Sequence, residues 1–84
     1  DEDTGNFNAS IRLTVYDSPN ILGEMMMYIA NAGTPVVAGS QEEVKKGIRR
    51  LHLVLQVTSK DQVRAVIARM QKRSDVLDAY RSAR

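Results

Sequence analysis

Hydrophobic and polar residues alternate over two stretches of the chain, 7–16 and 50–57. The alternating apolar residues are Phe7, Ala9, Ile11, Leu13 and Val15 in the first stretch and Leu51, Leu53, Leu55 and Val57 in the second. Because the side chains of a β-strand point to opposite faces in turn, a period of two is typical of a strand with one buried face. The pattern therefore predicts two half-buried strands.

Two other segments carry apolar residues at helical spacing. These residues are Leu22, Met25, Met26 and Ile29 in the first segment and Val63, Val66, Ile67 and Met70 in the second. Ser18 and Pro19 predict the N-cap and the first residue of the first helix, and Gly33 predicts its end. Ser59 and Gln62 have the spacing of a capping box, which predicts the start of the second helix.

The remaining segments complete a β-α-β-β-α-β order. Residues 36–43 form a weaker extended stretch, 45–47 form a hairpin turn, and 76–81 form a short final strand. This order predicts a ferredoxin-like α+β fold, a four-stranded antiparallel sheet in the order 4-1-3-2 with two helices on one face. We assign residues 1–6 to a disordered linker, 7–81 to the domain and 82–84 to a tail.

The other face of the sheet is predicted to be open and mostly polar, since helices cover one side. It would carry Asn8, Ser10, Arg12, Thr14, Tyr16, Arg50, His52, Val54 and Gln56. The edge strand that begins at Val36 is free to pair with a second copy of the domain.

Composition narrows the class of protein. The 84 residues suffice for one small core, 43% of them are hydrophobic, and the net charge is +2. Cysteine is absent, and no apolar run approaches the roughly 18 residues of a membrane span. We expect a cytoplasmic protein with no membrane partner. The acidic start without an initial methionine suggests a domain cut from a longer protein.

Residues suited to catalysis are few. His52 is the sole histidine and is predicted to be an ordinary surface residue, while Glu42 and Glu43 neighbour basic residues in a solvated turn. The chain has no phosphate-binding glycine loop, no nucleophile motif and no metal-ligand cluster. We expect no enzyme activity, no metal and no cofactor.

Two short motifs resemble those of the ACT domain, the small regulatory module of many amino-acid-responsive proteins. Asp17-Ser18-Pro19-Asn20-Ile21-Leu22 is similar to the family's D-R-P-G-L-L-like helix start, and Gly33-Thr34-Pro35-Val36 is similar to its G-x-N-I. The resemblance covers about residues 7–81. It departs from the family at Asn20, where glycine is usual, and at Pro35, near the family's asparagine.

The C-terminal half resembles one group within that family. "SKDQVRAVIARMQKRSDVLDAYR" and "KKGIRRLHLVLQV" are similar to the C-terminal ACT domain of Rel/SpoT-type GTP pyrophosphokinases, which make or hydrolyse (p)ppGpp in the stringent response. The resemblance implies contacts with other domains of such an enzyme and, through it, with the ribosome. ACT domains of malic enzymes and of amino-acid biosynthetic dehydrogenases also resemble parts of the chain.

The helix start is the candidate ligand site. Its free backbone N–H groups favour a carboxylate, Asp17 and Asn20 suit an amino group, and Ile21 and Leu22 suit an apolar side chain. These groups fit an α-amino acid, and the resemblance implies a branched-chain one. The full candidate set is Asp17, Ser18, Pro19, Asn20, Ile21 and Leu22. Alternatively Ser18-Pro19 is only a helix start, and the domain is a structural or interaction module.

Candidate interaction residues lie outside the core pattern. Met27 and Tyr28 are off the apolar face of the first helix and suit a protein contact, or else pack at the margin of the core. With Val36 and Val37 of the edge strand they are the candidate residues of a homodimer.

RNA binding is a further reading of this fold. Lys46-Gly47-Ile48-Arg49 imitates an RNA-recognition motif but lacks its aromatic residues, and Tyr16 is the one aromatic residue expected on the open face. We therefore expect no sequence-specific RNA binding. A basic surface of Lys45, Lys46, Arg49 and Arg50 remains as a candidate contact for phosphate.

Overall fold

Two long strands pair antiparallel at the centre of a four-stranded sheet in the computed structural model, which describes residues 7–82. The elements are β1 (Phe7–Tyr16), α1 (Ile21–Asn31), β2 (Val36–Lys45), β3 (Ile48–Val57), α2 (Lys60–Gln71) and β4 (Val76–Arg81). The strand order is β2-β3-β1-β4, so the predicted ferredoxin-like fold is confirmed. The predicted linker at 1–6 and residues 83–84 of the predicted tail lie outside the described residues.

The hydrophobic core lies between the helices and one face of the sheet. Ile11 of β1 faces Leu53 of β3 across the central pair, and both are 0% exposed. The buried apolar residues are Ala9, Ile11, Leu13, Val15, Ile21, Met25, Ile29, Leu51, Leu53, Leu55, Val57, Val63, Val66, Met70, Val76 and Ala79. Both alternating patterns are thus confirmed, with Phe7 exposed at the start of β1. None of the nine residues predicted for the open face is buried.

The start of α1 differs from the prediction. Ser18 does not cap the helix, and Pro19 is not its first residue. The N-cap is Asn20, which has the left-handed backbone angles φ 59° and ψ 31° and makes no side-chain capping bond. The N–H of Ile21 donates to the carbonyl of Ser18 at 3.2 Å, which closes a tight turn around Pro19 and Asn20. Such a turn favours proline first and a residue that tolerates positive φ second.

The end of α1 follows the prediction. Gly33 has φ 100°, its N–H donates to the carbonyl of Ala30 at 3.0 Å, and the N–H of Thr34 donates to that of Ile29 at 3.3 Å. These two bonds form a Schellman motif, which requires a positive φ at the position of Gly33.

The predicted cap of α2 is also present. Ser59 Oγ accepts the N–H of Gln62 at 3.2 Å, while Gln62 Oε1 accepts the N–H of Thr58 at 2.9 Å. Gln62 also donates through Nε2 to Oγ1 of the buried Thr34 at 3.2 Å. This side chain therefore joins the end of α1 to the start of α2.

Helix α1 lies close to β2. Its buried residues are Ile21, Met25 and Ile29, and the half-buried Leu22 and Met26 flank them. A Cβ on Gly39 of β2 would lie 2.9 Å from Met26 Sδ and 3.4 Å from Leu22 Cδ1. Glycine at this position therefore allows the close approach.

Strand β2 is the exposed edge of the sheet on that side. Nine of its ten residues are exposed. Its pairing with β3 shifts register around Val37 and again around Val44, and these valines are 52% and 44% exposed. The regular run between the two bulges leaves an unpaired strand edge.

A cluster around Arg73 joins both helices to the sheet. Arg73 Nε and Nη2 donate to the two carboxylate oxygens of Asp75 at 2.9 Å each, and the guanidinium lies 4.6 Å from the centroid of the Tyr28 ring. The carbonyl of Asp75 accepts the N–H of Tyr16 at 3.1 Å. The hydrogen bond from Arg73 lowers the pKa of Asp75 below its ordinary value of 3.8.

This pair predicts a loss of stability in acid. Because the pKa of Asp75 is lower in the folded state, its contribution is present above the ordinary pKa and is lost as pH falls through the folded value. Asp75→Asn should lower the free energy of unfolding by at most about 1 kcal/mol near neutral pH, as for partly exposed pairs. Urea unfolding between about pH 7 and pH 2 should show this difference shrinking toward zero.

Glu43→Gln is the matched control, because Glu43 is exposed on β2 and forms no ion pair with a residue within 7–82. Its unfolding free energy should stay close to that of the wild type at each pH. An equal, pH-dependent loss in both variants would contradict a specific role for Asp75.

Candidate ligand-binding cleft

An open cleft of about 730 Å³ lies at the N-terminus of α1, between the β1–α1 loop and the β2–β3 hairpin. It is lined by Asp17, Ser18, Pro19, Asn20, Ile21, Leu22, Gly23, Met26, Gln41 and Arg49. All six candidate ligand residues thus lie at one cleft. The cleft also includes four residues that the sequence did not predict: Gly23, Met26, Gln41 and Arg49. The position of Arg49 on the helix side of β3 could have been inferred from the sequence, because Arg49 is two residues from the buried Leu51.

An ion pair lies in the wall of the cleft. Arg49 Nε donates to Asp17 Oδ1 at 2.8 Å, and the two side chains are 31% and 38% exposed. The N–H of Asp17 also donates to the carbonyl of Gly47 at 2.9 Å. The loop that begins α1 is therefore attached to the hairpin through both a side chain and the backbone.

The first turn of α1 offers unpaired backbone donors. The N–H of Ile21 donates to Ser18 and that of Glu24 to Asn20, but those of Leu22 and Gly23 donate to no residue within 7–82. Unpaired N–H groups at a helix start carry partial positive charge and attract anions. The cleft therefore presents two amide donors close to the Asp17–Arg49 pair.

Ile21 contributes little to the apolar surface of the cleft. It borders the cleft, but its side chain is 2% exposed because it packs in the core. Leu22 and Met26, both half-buried, supply the apolar surface instead.

Asn20 occupies the cleft without capping the helix. A Cβ on Gly23 would lie 2.6 Å from Asn20 Oδ1, so the amide group covers the first turn directly. The left-handed backbone at Asn20 is one that glycine adopts most easily and asparagine tolerates. Pro35 does not line the cleft and lies just beyond the other end of α1, where its carbonyl accepts the N–H of Gln56 at 2.9 Å.

The candidate interaction residues lie in different environments. Met27 is 65% exposed on α1 and Val37 is 52% exposed in a bulge of β2. Val36 is half-buried against the core, and Tyr28 packs against the core and beneath the Arg73 guanidinium within the domain. Tyr28 is therefore committed to an internal contact.

The predicted basic surface is divided by the sheet. Arg49 lies on the helix side with Asp17, whereas Arg50 lies on the open face and donates to Glu42 Oε2 at 3.1 Å. Arg49 and Arg50 of the candidate phosphate-contacting surface therefore lie on different faces of the sheet, because adjacent strand residues point to opposite faces.

Residues 7–82 contain neither a metal-binding cluster nor a membrane-spanning helix. No group of three or more histidine, cysteine, aspartate or glutamate side chains could hold a metal ion there. Neither helix in this part of the chain is long and apolar enough to cross a membrane.

Comparison with known proteins agrees with this architecture. A family model described as ACT domain matches residues 3–81. The solution structure of the ACT domain from GTP pyrophosphokinase of Chlorobium tepidum is similar, with a TM-score of 0.78 and 20% identity over 94% of this chain and 89% of that one. Its crystal structure matches with a TM-score of 0.73 and 19% identity over 93% of this chain and 100% of that one.

A third solved structure belongs to a longer protein. Homoserine dehydrogenase from Thiobacillus denitrificans matches with a TM-score of 0.69 and 22% identity, covering 92% of this chain but 17% of that one. No curated protein matches the chain. At these identities, the three structures show a shared fold.

The left-handed backbone conformation of Asn20 can be tested through the stability of variants at this position. Asn20→Ala should lower the free energy of unfolding by about 1 kcal/mol, because the left-handed conformation is less favourable for alanine than for asparagine. Asn20→Gly should change it by less than about 0.5 kcal/mol, since glycine adopts this conformation freely. Urea unfolding measures both differences.

Asn31→Ala is the control, because Asn31 is the last residue of α1 and has helical geometry. It should leave the stability unchanged or slightly raised. Equal stability of the alanine and glycine variants at position 20 would contradict the strain argument.

Proposed function

The chain belongs to the ACT domain family, and we propose that within this family it is an amino-acid-sensing regulatory domain of a GTP pyrophosphokinase. The ligand would be a free α-amino acid with a branched aliphatic side chain, bound in the cleft at the start of α1. The observation that carries the proposal is the Asp17–Arg49 ion pair beside the unpaired N–H groups of Leu22 and Gly23.

An amino-acid zwitterion complements these charges. Its carboxylate would accept hydrogen bonds from the two amides and from the Arg49 guanidinium, whose terminal nitrogens donate to no residue within 7–82. Its ammonium group would approach the Asp17 carboxylate. The ligand's carboxylate would pair with Arg49 and its ammonium group with Asp17. No charged group would therefore be left without a partner in the complex.

The side chain of the ligand would lie against Leu22 and Met26. Both residues are half-buried and apolar, and methionine adapts its shape to a branched neighbour. Asn20 limits the space over Gly23, which favours a compact side chain over a large aromatic one.

Binding would act on the rest of an enzyme through the hairpin. The β1–α1 loop is joined to the β2–β3 hairpin by the Asp17–Arg49 ion pair and by the backbone hydrogen bond from Asp17 to Gly47. A ligand that contacts both sides would hold these elements together and favour one arrangement of the hairpin. Contacts with other domains of the parent enzyme, or with the ribosome, would respond to that change.

The parent enzyme is part of the proposal. The likeness to the Chlorobium domain and the C-terminal segments quoted above support a GTP pyrophosphokinase. The dehydrogenase match shows that other enzymes carry the same fold. A hydrolase and a synthetase domain encoded upstream in the same gene would decide in favour of the pyrophosphokinase.

Calorimetry with valine, isoleucine and leucine tests the ligand. The wild-type chain should give saturable heat with at least one of them. Arg49→Gln should weaken binding roughly tenfold or more, because it removes a charged donor to the carboxylate. Asn20→Gly should preserve or strengthen binding, since it uncovers the first turn.

Arg50→Gln is the matched control, because Arg50 neighbours Arg49 in sequence but faces the opposite side of the sheet. It should bind the amino acid like the wild type. Absence of heat with all twenty amino acids, or equal losses in both arginine variants, would reject the amino-acid site. Thermal unfolding of each variant separates loss of binding from loss of fold.

A homodimer is the second proposed role, and the free edge of β2 supports it. Nine of the ten residues of this strand are exposed, and the run between its bulges at Val37 and Val44 has no neighbour on its outer side within the domain. Backbone pairing of two such edges would extend the sheet across two copies.

Light scattering tests this edge. The wild type should show twice the monomer mass of 9.4 kDa at high concentration, and Val37→Lys should shift it to monomer, since a lysine disfavours edge pairing. Met27→Lys, on the exposed side of α1, should leave the dimer intact. Dissociation by the Met27 variant alone would place the contact on the helix instead.

A further inference from the structure

A cluster of basic side chains occupies the open face of the sheet, on the opposite side from the ligand-binding cleft. Arg12 of β1 pairs directly with His52 of β3, and Arg50 lies two residues from His52 on the same face. Directly opposed residues on neighbouring strands have Cβ atoms about 5 Å apart. Three nitrogen-rich side chains are therefore held side by side by the rigid central strand pair.

A pocket of about 280 Å³ lies over this cluster. It is lined by Arg12, Ser40, Gln41, Glu42, Arg50 and His52. Its size is at or below the lower limit of pockets that hold whole drug-sized ligands, roughly 300 Å³. It suits a small ion or one charged group of a larger molecule.

Three buried nitrogen atoms in this cluster have no hydrogen-bond partner. They are Arg12 Nε, Arg50 Nε and His52 Nε2, and they are the unpaired buried side-chain polar atoms found within residues 7–82. Buried polar atoms are paired in most proteins, and unpaired ones call for a specific explanation. Both guanidinium Nε atoms are hydrogen-bond donors, so their concentration in one pocket indicates a ligand group that accepts hydrogen bonds.

The charges in the pocket favour an anion. Arg50 is partly neutralised by Glu42, whose Oε2 lies 3.1 Å from Arg50 Nη1. Arg12 forms no ion pair with any carboxylate within 7–82. One full positive charge therefore remains, together with the His52 imidazole and the hydroxyl of Ser40.

We propose that the pocket of Arg12, Arg50 and His52 binds a phosphoryl group. Guanidinium groups donate pairs of parallel hydrogen bonds to phosphate oxygens. A tetrahedral phosphoryl group presents more acceptor oxygens than a carboxylate and reaches donors on two strands at once. The imidazole and Ser40 would contribute further hydrogen bonds. Gln41 borders both this pocket and the cleft at α1, but the charged groups differ, because Arg49 and Arg50 point to opposite faces.

Chemical-shift titration by NMR tests the site with inorganic phosphate, at constant ionic strength maintained with chloride. Saturable shifts should be largest in the amides around Arg12, Ser40 and His52. Arg12→Gln should weaken phosphate binding about tenfold or more. Glu42→Gln should strengthen it several-fold, because it removes a carboxylate that competes for Arg50.

Arg49→Gln is the matched control and should bind phosphate like the wild type. A second titration with a nucleoside 5′-monophosphate distinguishes the source of the group. Tighter binding than phosphate identifies a nucleotide ligand, and equal binding identifies free phosphate, with both outcomes supporting the site. The proposal is overturned if neither probe gives saturable shifts, or if Arg12→Gln and Glu42→Gln bind phosphate as the wild type does.

Discussion

The antiparallel pairing of β1 with β3 is the constraint on which the rest of the structure depends. It runs in register from Phe7 opposite Val57 to Tyr16 opposite Ile48. A slip of β1 by one residue would turn all of its core side chains toward the open face. The same register places Arg49 on the helix side and Arg50 on the open side, so it also determines which basic residue belongs to which candidate site.

The cleft at the N-terminus of α1 exists because the helix begins at Ile21. Because Pro19 and Asn20 form a turn, the helix begins only at Ile21, and the side chain of Ile21 packs in the core. The beginning of the helix therefore leaves part of the helix side of β3 uncovered, where Arg49 reaches Asp17. The proposed sensing role and the proposed phosphoryl site thus arise from two faces of one strand pair.

Strong periodicity allowed most of the fold to be predicted from the residues. The alternation around Ile11 and Leu53 and the helical spacing of Val63, Val66 and Met70 reflect burial directly. The start of α1 was harder, because Ser18-Pro19 fits both a helix cap and a turn. The sequence predicted the loop residues that line one side of the cleft. It did not predict Gln41 and Arg49 on the other side, because they are distant in sequence from that loop.

The sequence by itself determined the order of the elements, the core faces of β1, β3 and α2, and the end of α1 at Gly33. These features depend on local spacing, which a linear pattern records. Only the tertiary structure decided that Asn20 is the left-handed residue before α1, that Tyr28 is held by Arg73, and that the neighbours Arg49 and Arg50 serve separate pockets. Those outcomes depend on which distant strands and loops are brought together, because side chains find their partners across the sheet rather than along the chain.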